Sequence, residues 1–213
     1  MNLNEVGTVI PSNLGWLDGR LSEKEMDYVW RCIKNKKERW NKHLAGNLSG
    51  SYILSDRSDW FWINVLSPLA NLYSQRFENL GERAATTQCH PYCLDQWWVN
   101  FQKQNEFNPV HSHDGVWSFV LFMKIPKEVS YKKQSRIKIS SDSNSPQPSV
   151  LQFLHINVLG DIKTWEYRLE PEDEGRILFF PARLRHNVYP FYNCDEDRIT
   201  VAGNIALNTT KRL

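Results

Sequence analysis

Polar and apolar positions follow two different periods along this chain, and the period changes near residue 88. Before that point the spacing is helical. Ser22-Glu23-Lys24-Glu25 has the form of a capping box, in which the hydroxyl and the second carboxylate each satisfy a free backbone N–H at a helix start. Met26, Val29, Trp30 and Ile33 follow at helical spacing, which predicts a helix from about residue 23 to 36. A second helix is predicted from Phe61, Val65, Leu66, Leu69, Leu72, Tyr73 and Phe77, capped by Ser58 or Asp59 and ending near Asn79-Leu80-Gly81. Pro68 marks a kink or a new start within it. The polar stretch Asn41 to Asp56 between the two helices reads as a loop.

From residue 88 the period is two. In Gln96 to Gln102, the side chains of Trp98, Asn100 and Gln102 face one way and those of Trp97, Val99 and Phe101 the other. Further strands are predicted at Val116 to Ile125, stopped by Pro126, and at about Val150 to Asn157, Lys163 to Leu169, Arg176 to Phe180, Asn187 to Tyr189 and Arg198 to Leu207. Gly160, Pro171, Gly175 and Pro190 supply turns. Lys127 to Pro148 has the composition of an exposed loop, serving as a connector or as a mobile lid. About eight strands after two helices define the fold class: mainly β with flanking helices. The expected core is a double-stranded β-helix of jelly-roll or cupin-like type over 88–213, preceded by a helical N-terminal portion over 1–87 that packs on it, all in a single domain over 1–213.

Composition narrows the function classes. With 213 residues, 41% of them hydrophobic and 23% charged, the chain is long enough for one substantial core. A net charge of +2 without clustered basic residues offers no nucleic-acid footprint. The basic run Lys34 to Arg39, broken by Asn35 and Glu38, reads as a solvated helix end beside the negative pole of the dipole. No apolar run approaches the length of a membrane span. Four cysteines and no signal-peptide pattern predict reduced thiols and a cytoplasmic location, where the sequons Asn47-Leu48-Ser49 and Asn208-Thr209-Thr210 carry no sugar. Cys89-His90-Pro91-Tyr92-Cys93 lacks the second ligand pair that a structural zinc site needs. The excess of aromatic residues, 13%, suits strands and pocket walls.

The candidate chemistry lies in three places: His111-Ser112-His113-Asp114, the segment Phe180 to His186, and Arg198-Ile199-Thr200. In an extended strand His111 and His113 address one point, and His186 can join them from a neighbouring strand of a closed antiparallel barrel. Neutral imidazoles suit iron, zinc, copper or nickel, so these ligands alone do not name the metal. Alternation puts Arg198, Thr200 and Asn204 on one face, where a guanidinium beside a hydroxyl makes a carboxylate clamp. Taken singly, a histidine is more often a surface or hydrogen-bonded core residue, and His43 and His155 are read so.

At these residues the chain resembles the 2-oxoglutarate and Fe(II)-dependent oxygenases, in particular a phage-type group related to prolyl hydroxylases. That group shows a Trp-x-Asn strand, a His-x-His element, Phe-Pro-x-x-x-x-His, and then Glu-x-Arg-Ile-x-x-x-x-Asn. Here they stand as Trp98-Val99-Asn100, His111-Ser112-His113, Phe180 to His186, and Glu196-Asp197-Arg198-Ile199 through Asn204, a similarity covering roughly residues 96 to 207. The resemblance implies Fe(II) on His111, His113 and His186. It also implies 2-oxoglutarate with its 5-carboxylate on Arg198 and Thr200, Asn100 and Asn204 in the co-substrate site, and O2 as second co-substrate. The implied reaction hydroxylates a C–H bond of a peptide, amino-acid or small-molecule substrate and releases succinate and CO2, in the host cytoplasm if the chain is phage-encoded.

The wider superfamily uses His-x-Asp where this chain has His111-Ser112-His113, with an acid only at the next position. A second ligand set therefore replaces His113 by Asp114, which requires a bulge because adjacent strand residues face opposite ways. Geometry favours the three histidines. Two other readings stay open: a three-histidine cupin-type dioxygenase that does not use 2-oxoglutarate, and a non-catalytic jelly-roll, a binding or virion-associated module whose metal is structural or absent. The residues leave the primary substrate and the oligomeric state open.

Overall fold

The Ser22 box forms as its sequence predicts and opens helix α1, Glu23–Lys34: the Glu25 carboxylate accepts from the Ser22 N–H at 2.7 Å, and Ser22 Oγ accepts from the Glu25 N–H at 3.4 Å. The computed structural model describes residues 2–9 and 13–210. The second helical region is capped differently from expectation. Asp56 does the work, its two carboxylate oxygens accepting from the N–H groups of Phe61 and Trp62, each at 2.9 Å. Ser58 and Asp59 instead take left-handed backbone conformations in the turn before it. A π-helical turn, Trp62–Leu66, then leads into α2, Ser67–Arg76, so Pro68 marks a new start. Leu66 and Ser67 keep helical backbone across the junction, so the missing N–H of Pro68 falls where the π-turn passes into α2.

Ten strands follow the order β1 (Leu17–Arg20), β2 (Gly50–Ile53), β3 (Tyr92–Gln102), β4 (Asn108–His111), β5 (Trp117–Lys124), β6 (Leu151–Ile156), β7 (Ile162–Tyr167), β8 (Arg176–Pro181), β9 (His186–Val188) and β10 (Arg198–Leu207) among the described residues. They form a six-stranded sheet, β1-β8-β5-β10-β3-β2, and a four-stranded sheet, β4-β9-β6-β7, with every pairing antiparallel. This is the two-sheet arrangement of a double-stranded β-helix. β5 and β10 sit centrally in the larger sheet; β5 is largely apolar on both faces, whereas β10 turns Arg198, Thr200 and Asn204 to one side and Ile199, Val201 and Ile205 to the other. Trp117, Phe119, Leu121 and Met123 pack with Phe61, Leu66 and Tyr73 on the helical side. Phe122 meets Leu151, Phe153 and Phe180 between the sheets.

Two parts of the chain depart from expectation. The first 87 residues are not purely helical, because β1 pairs with β8 and β2 with β3 at the two edges of the large sheet. At four residues each, one containing Gly and one beginning with it, they are too short to show a period. The stretch 127–148 is not an open loop but carries short helices at Lys127–Val129, Tyr131–Gln134 (α3) and Lys138–Ser141 (α4). Buried Gln134 ties it down, donating to the carbonyls of Glu128 and Tyr192 at 2.7 and 2.8 Å and accepting from the Tyr192 N–H at 3.0 Å. The connector is thereby fastened to the segment that leads into β10. Among the described residues no helix is long and apolar enough to cross a membrane.

Candidate metal and co-substrate site

The small sheet brings two of the three histidines together by register: on antiparallel β4 and β9, His111 stands opposite His186. His113 arrives by another route than strand alternation. It lies past the end of β4, where its N–H donates to the Ala182 carbonyl at 2.8 Å. The chain then turns at Gly115, whose φ of 92° and closeness to the Ile205 carbonyl, 2.6 Å from where a Cβ would sit, admit no side chain without strain. One ligating atom from each of His111, His113 and His186 falls within 4.8 Å of the others. Asp114 is exposed and outside this cluster.

Each imidazole has one nitrogen occupied by an oxygen acceptor. His111 Nδ1 lies 2.7 Å from the Pro109 carbonyl, His186 Nδ1 2.9 Å from that of Leu184, and His113 Nδ1 3.0 Å from Asn204 Oδ1. An acceptor there places the proton on Nδ1 and leaves Nε2 as a bare lone pair. Yet Nε2 of His113 and Nε2 of His186 are only 3.2 Å apart. Two bare lone pairs at that distance repel unless a cation lies between them. A metal with bonds of roughly 2.1 Å holds cis nitrogens about 3.0 to 3.4 Å apart, which brackets the observed separation. The donor set therefore fits a metal ion. Burial pushes the His113 pKa down to about 4 and that of His186 to about 3, helped by the neighbouring imidazoles, and lowers that of His111. All three are neutral at pH 7, the form that ligates.

Asn204, expected in the co-substrate site, has its carboxamide oxygen shared between His113 and the Ser118 hydroxyl, the latter at 2.9 Å. It holds His113 in one tautomer. Asn204→Ala should weaken metal binding by roughly 10- to 100-fold with the fold retained, as loss of a ligand's hydrogen-bond partner does elsewhere. Titration with Co(II), followed by its visible absorption, checks this.

Arg198 opens β10 and is 1% exposed. Its Nε and Nη2 both donate to Gln102 Oε1, at 3.1 and 2.7 Å, Nη1 donates to the Ser149 carbonyl at 2.7 Å, and Nη2 to that of Tyr189 at 3.5 Å. Phe191 covers one face at 5.6 Å. Every one of these partners is neutral, and among the described residues no carboxylate pairs with Arg198. Burial alone lowers its pKa to about 10, still well above neutrality. A buried cation without a counter-ion is costly, and a ligand's carboxylate relieves that cost. Arg198, Thr200, Asn100, Phe122 and His186 line one cleft, which passes His111 and His113 into a mouth bordered by His43, Gly46, Gln96 and Asp114. The Trp98, Asn100 and Gln102 face of β3 lines the cleft as its alternation predicts, and Asn100 Oδ1 accepts from buried Ser51 at 2.7 Å. The carbonyls of Ser149 and Tyr189 had no sequence signal, since any residue carries one.

A model of the family described as "Putative 2OG-Fe(II) oxygenase" matches residues 96–204, more than half of the chain, and the chain belongs to that family. It is a 2-oxoglutarate-dependent dioxygenase with Fe(II) and 2-oxoglutarate as its cofactors. That membership decides against the readings without 2-oxoglutarate and without catalysis. No curated protein sequence matches the chain. Solved structures that share the fold include a prolyl-4-hydroxylase of Pseudomonas putida, at 14% identity and a TM-score of 0.51 over 92% of this chain and 94% of that one. Another is SnoK, a non-heme alpha-ketoglutarate-dependent carbocyclase from nogalamycin biosynthesis, at 11% identity and 0.52 over 89% and 78%. The epimerase SnoN from the same biosynthesis aligns at 13% and 0.50 over 90% and 78%.

Proposed function

We propose that the enzyme holds Fe(II) on His111, His113 and His186 and the 5-carboxylate of 2-oxoglutarate on Arg198 and Thr200, and that it hydroxylates a C–H bond of a peptide, amino-acid or small-molecule substrate. The observation that carries this is the pair of facing, unprotonated Nε2 atoms of His113 and His186, in one cleft with a buried guanidinium that has no anion. When bound, iron and 2-oxoglutarate supply the oxidising chemistry, with succinate and CO2 as by-products. The chain's own residues do the rest. Pro109, Leu184 and Asn204 fix the three tautomers. Arg198 and Thr200 set the depth to which the dicarboxylate enters, and Asn100 offers its amide N–H groups along the way. Trp98, Phe122 and Leu151 keep water from the cleft. The substrate enters through the mouth between the loop at 43–46 and Asp114. We place the enzyme as one domain in the cytoplasm, the host's if it is phage-encoded, a reducing compartment of the kind in which so few cysteines stay as thiols.

The test is succinate formation by anaerobically iron-loaded protein on exposure to O2. Succinate should appear only when both iron and 2-oxoglutarate are present. Absence of succinate together with failure of the iron-loaded protein to bind 2-oxoglutarate would overturn the assignment.

A further inference from the structure

Gln102 is the one side chain that hydrogen-bonds Arg198 among the described residues and is itself 5% exposed. Its carboxamide oxygen receives two of the four hydrogen bonds that Arg198 makes, while its Nε2 donates to the Glu106 carbonyl at 2.6 Å. That second bond fixes which end of the amide faces the guanidinium, because only the nitrogen can donate to a carbonyl. An acid at this position would bind the same two N–H groups more strongly, through a charge-assisted contact. It would also neutralise the cation. The chain thus has a neutral acceptor where a carboxylate would make the stronger partner.

We infer that Gln102 is a positioning and specificity-determining residue for the co-substrate: it aims the Arg198 guanidinium while leaving its charge uncompensated, so that the ligand's distal carboxylate becomes the missing counter-ion. This rests on the placement of 2-oxoglutarate against Arg198 proposed above. Three observations support it. Gln102 occupies the Nε and Nη2 edge of the guanidinium, and the Ser149 carbonyl takes Nη1. Of the five N–H groups of an arginine, one is left over, and the 3.5 Å contact to Tyr189 is weak enough to be exchanged for a ligand oxygen. The remaining contacts of the guanidinium, the Phe191 ring and two backbone carbonyls, are uncharged, so charge at residue 102 decides whether the Arg198 end of the cleft carries a positive charge.

The substitution Gln102→Glu makes the inference testable, because it should lower affinity for the co-substrate while stability is kept. In the ligand-free protein the new carboxylate completes an ion pair with a guanidinium already buried, which offsets the lost donation to the Glu106 carbonyl, so the thermal midpoint should stay close to that of wild type. Affinity for 2-oxoglutarate should fall by roughly 10- to 100-fold, the worth of a charged hydrogen-bonded contact. Binding is read by calorimetry on protein loaded with Mn(II), which does not turn over, using 2-oxoglutarate and its 5-amide, 2-oxoglutaramate. Wild type should prefer the dicarboxylate, and Gln102→Glu should lose that preference, since the amide meets no repulsion. Gln102→Leu separates charge from shape: it should lower the thermal midpoint and weaken both ligands while keeping the preference for the carboxylate. Retention of the wild-type preference by Gln102→Glu would overturn the role of Gln102. A wild type that does not distinguish the two ligands would overturn the placement of 2-oxoglutarate on Arg198 itself.

Discussion

Replacing His186 by alanine should abolish iron binding and turnover, leaving succinate formation at the level of the metal-free protein. The expectation rests on how few alternatives the site has. Every ligand in the proposed set is a neutral imidazole, so two remaining histidines offer neither the number nor the charge to retain a divalent cation. Asp114, the nearest acid in sequence, is exposed and outside the cluster. Loss of a ligand's partner alone costs metal proteins roughly 10- to 100-fold in affinity, and loss of the ligand costs more. Because His186 is buried between Phe153 and Phe180, at ring distances of 5.8 and 5.1 Å, its removal also leaves a small void. The measurement must therefore separate folding from ligation. Wild-type protein should gain thermal stability on addition of Co(II), as any protein does when a ligand binds only its native state. His186→Ala should unfold at the same temperature with and without the ion. A midpoint that still rises with Co(II) in the variant would remove His186 from the ligand set.

What was legible in the sequence follows how local each determinant is. The capping box at Ser22 and the alternation of β3 need only a few consecutive residues, and both appear where the pattern puts them. The grouping of His111 with His186 was legible from residue type and motif order, although the strand register that sets them opposite each other was not. His113 reaches the same point for a reason outside its own segment, the Ala182 carbonyl that holds the chain after β4 has ended. Asp56 replaces Ser58 and Asp59 as the cap because those two residues are spent on a left-handed turn, which polar composition alone does not reveal. The stretch 127–148 looked like a loop by composition, yet buried Gln134 and Val129 anchor it, the one by hydrogen bonds to Glu128 and Tyr192 and the other by packing on Phe191. Most telling is Asn204. Alternation put it on the same face as Arg198, but its oxygen is engaged by His113 and Ser118, so it bears on the metal end of the site.

Arg198→Ala should raise the dissociation constant for 2-oxoglutarate by about 100-fold or more, with metal affinity changed by less than about threefold. The first figure follows from the loss of a charge-assisted contact made in a low-dielectric interior, with desolvation of the distal carboxylate no longer offset. The second follows from connectivity: none of the hydrogen bonds of Arg198 goes to a histidine or to a group that anchors one. Arg198→Lys should recover only part of the loss, because an ammonium is a point charge and cannot donate to Gln102 and to a carboxylate with the fixed spacing of a guanidinium. Both constants can be measured on one sample by titrating Mn(II) and then 2-oxoglutarate. Unchanged affinity for 2-oxoglutarate in Arg198→Ala would sink the assignment of Arg198. Equal losses for metal and co-substrate would point instead to collapse of the small sheet, since Arg198 also braces the chain at Ser149 and Tyr189, just before β6 and just after β9, the strand that carries His186. The division of the loss between the two ligands, more than its size, tells a carboxylate clamp from a structural strut.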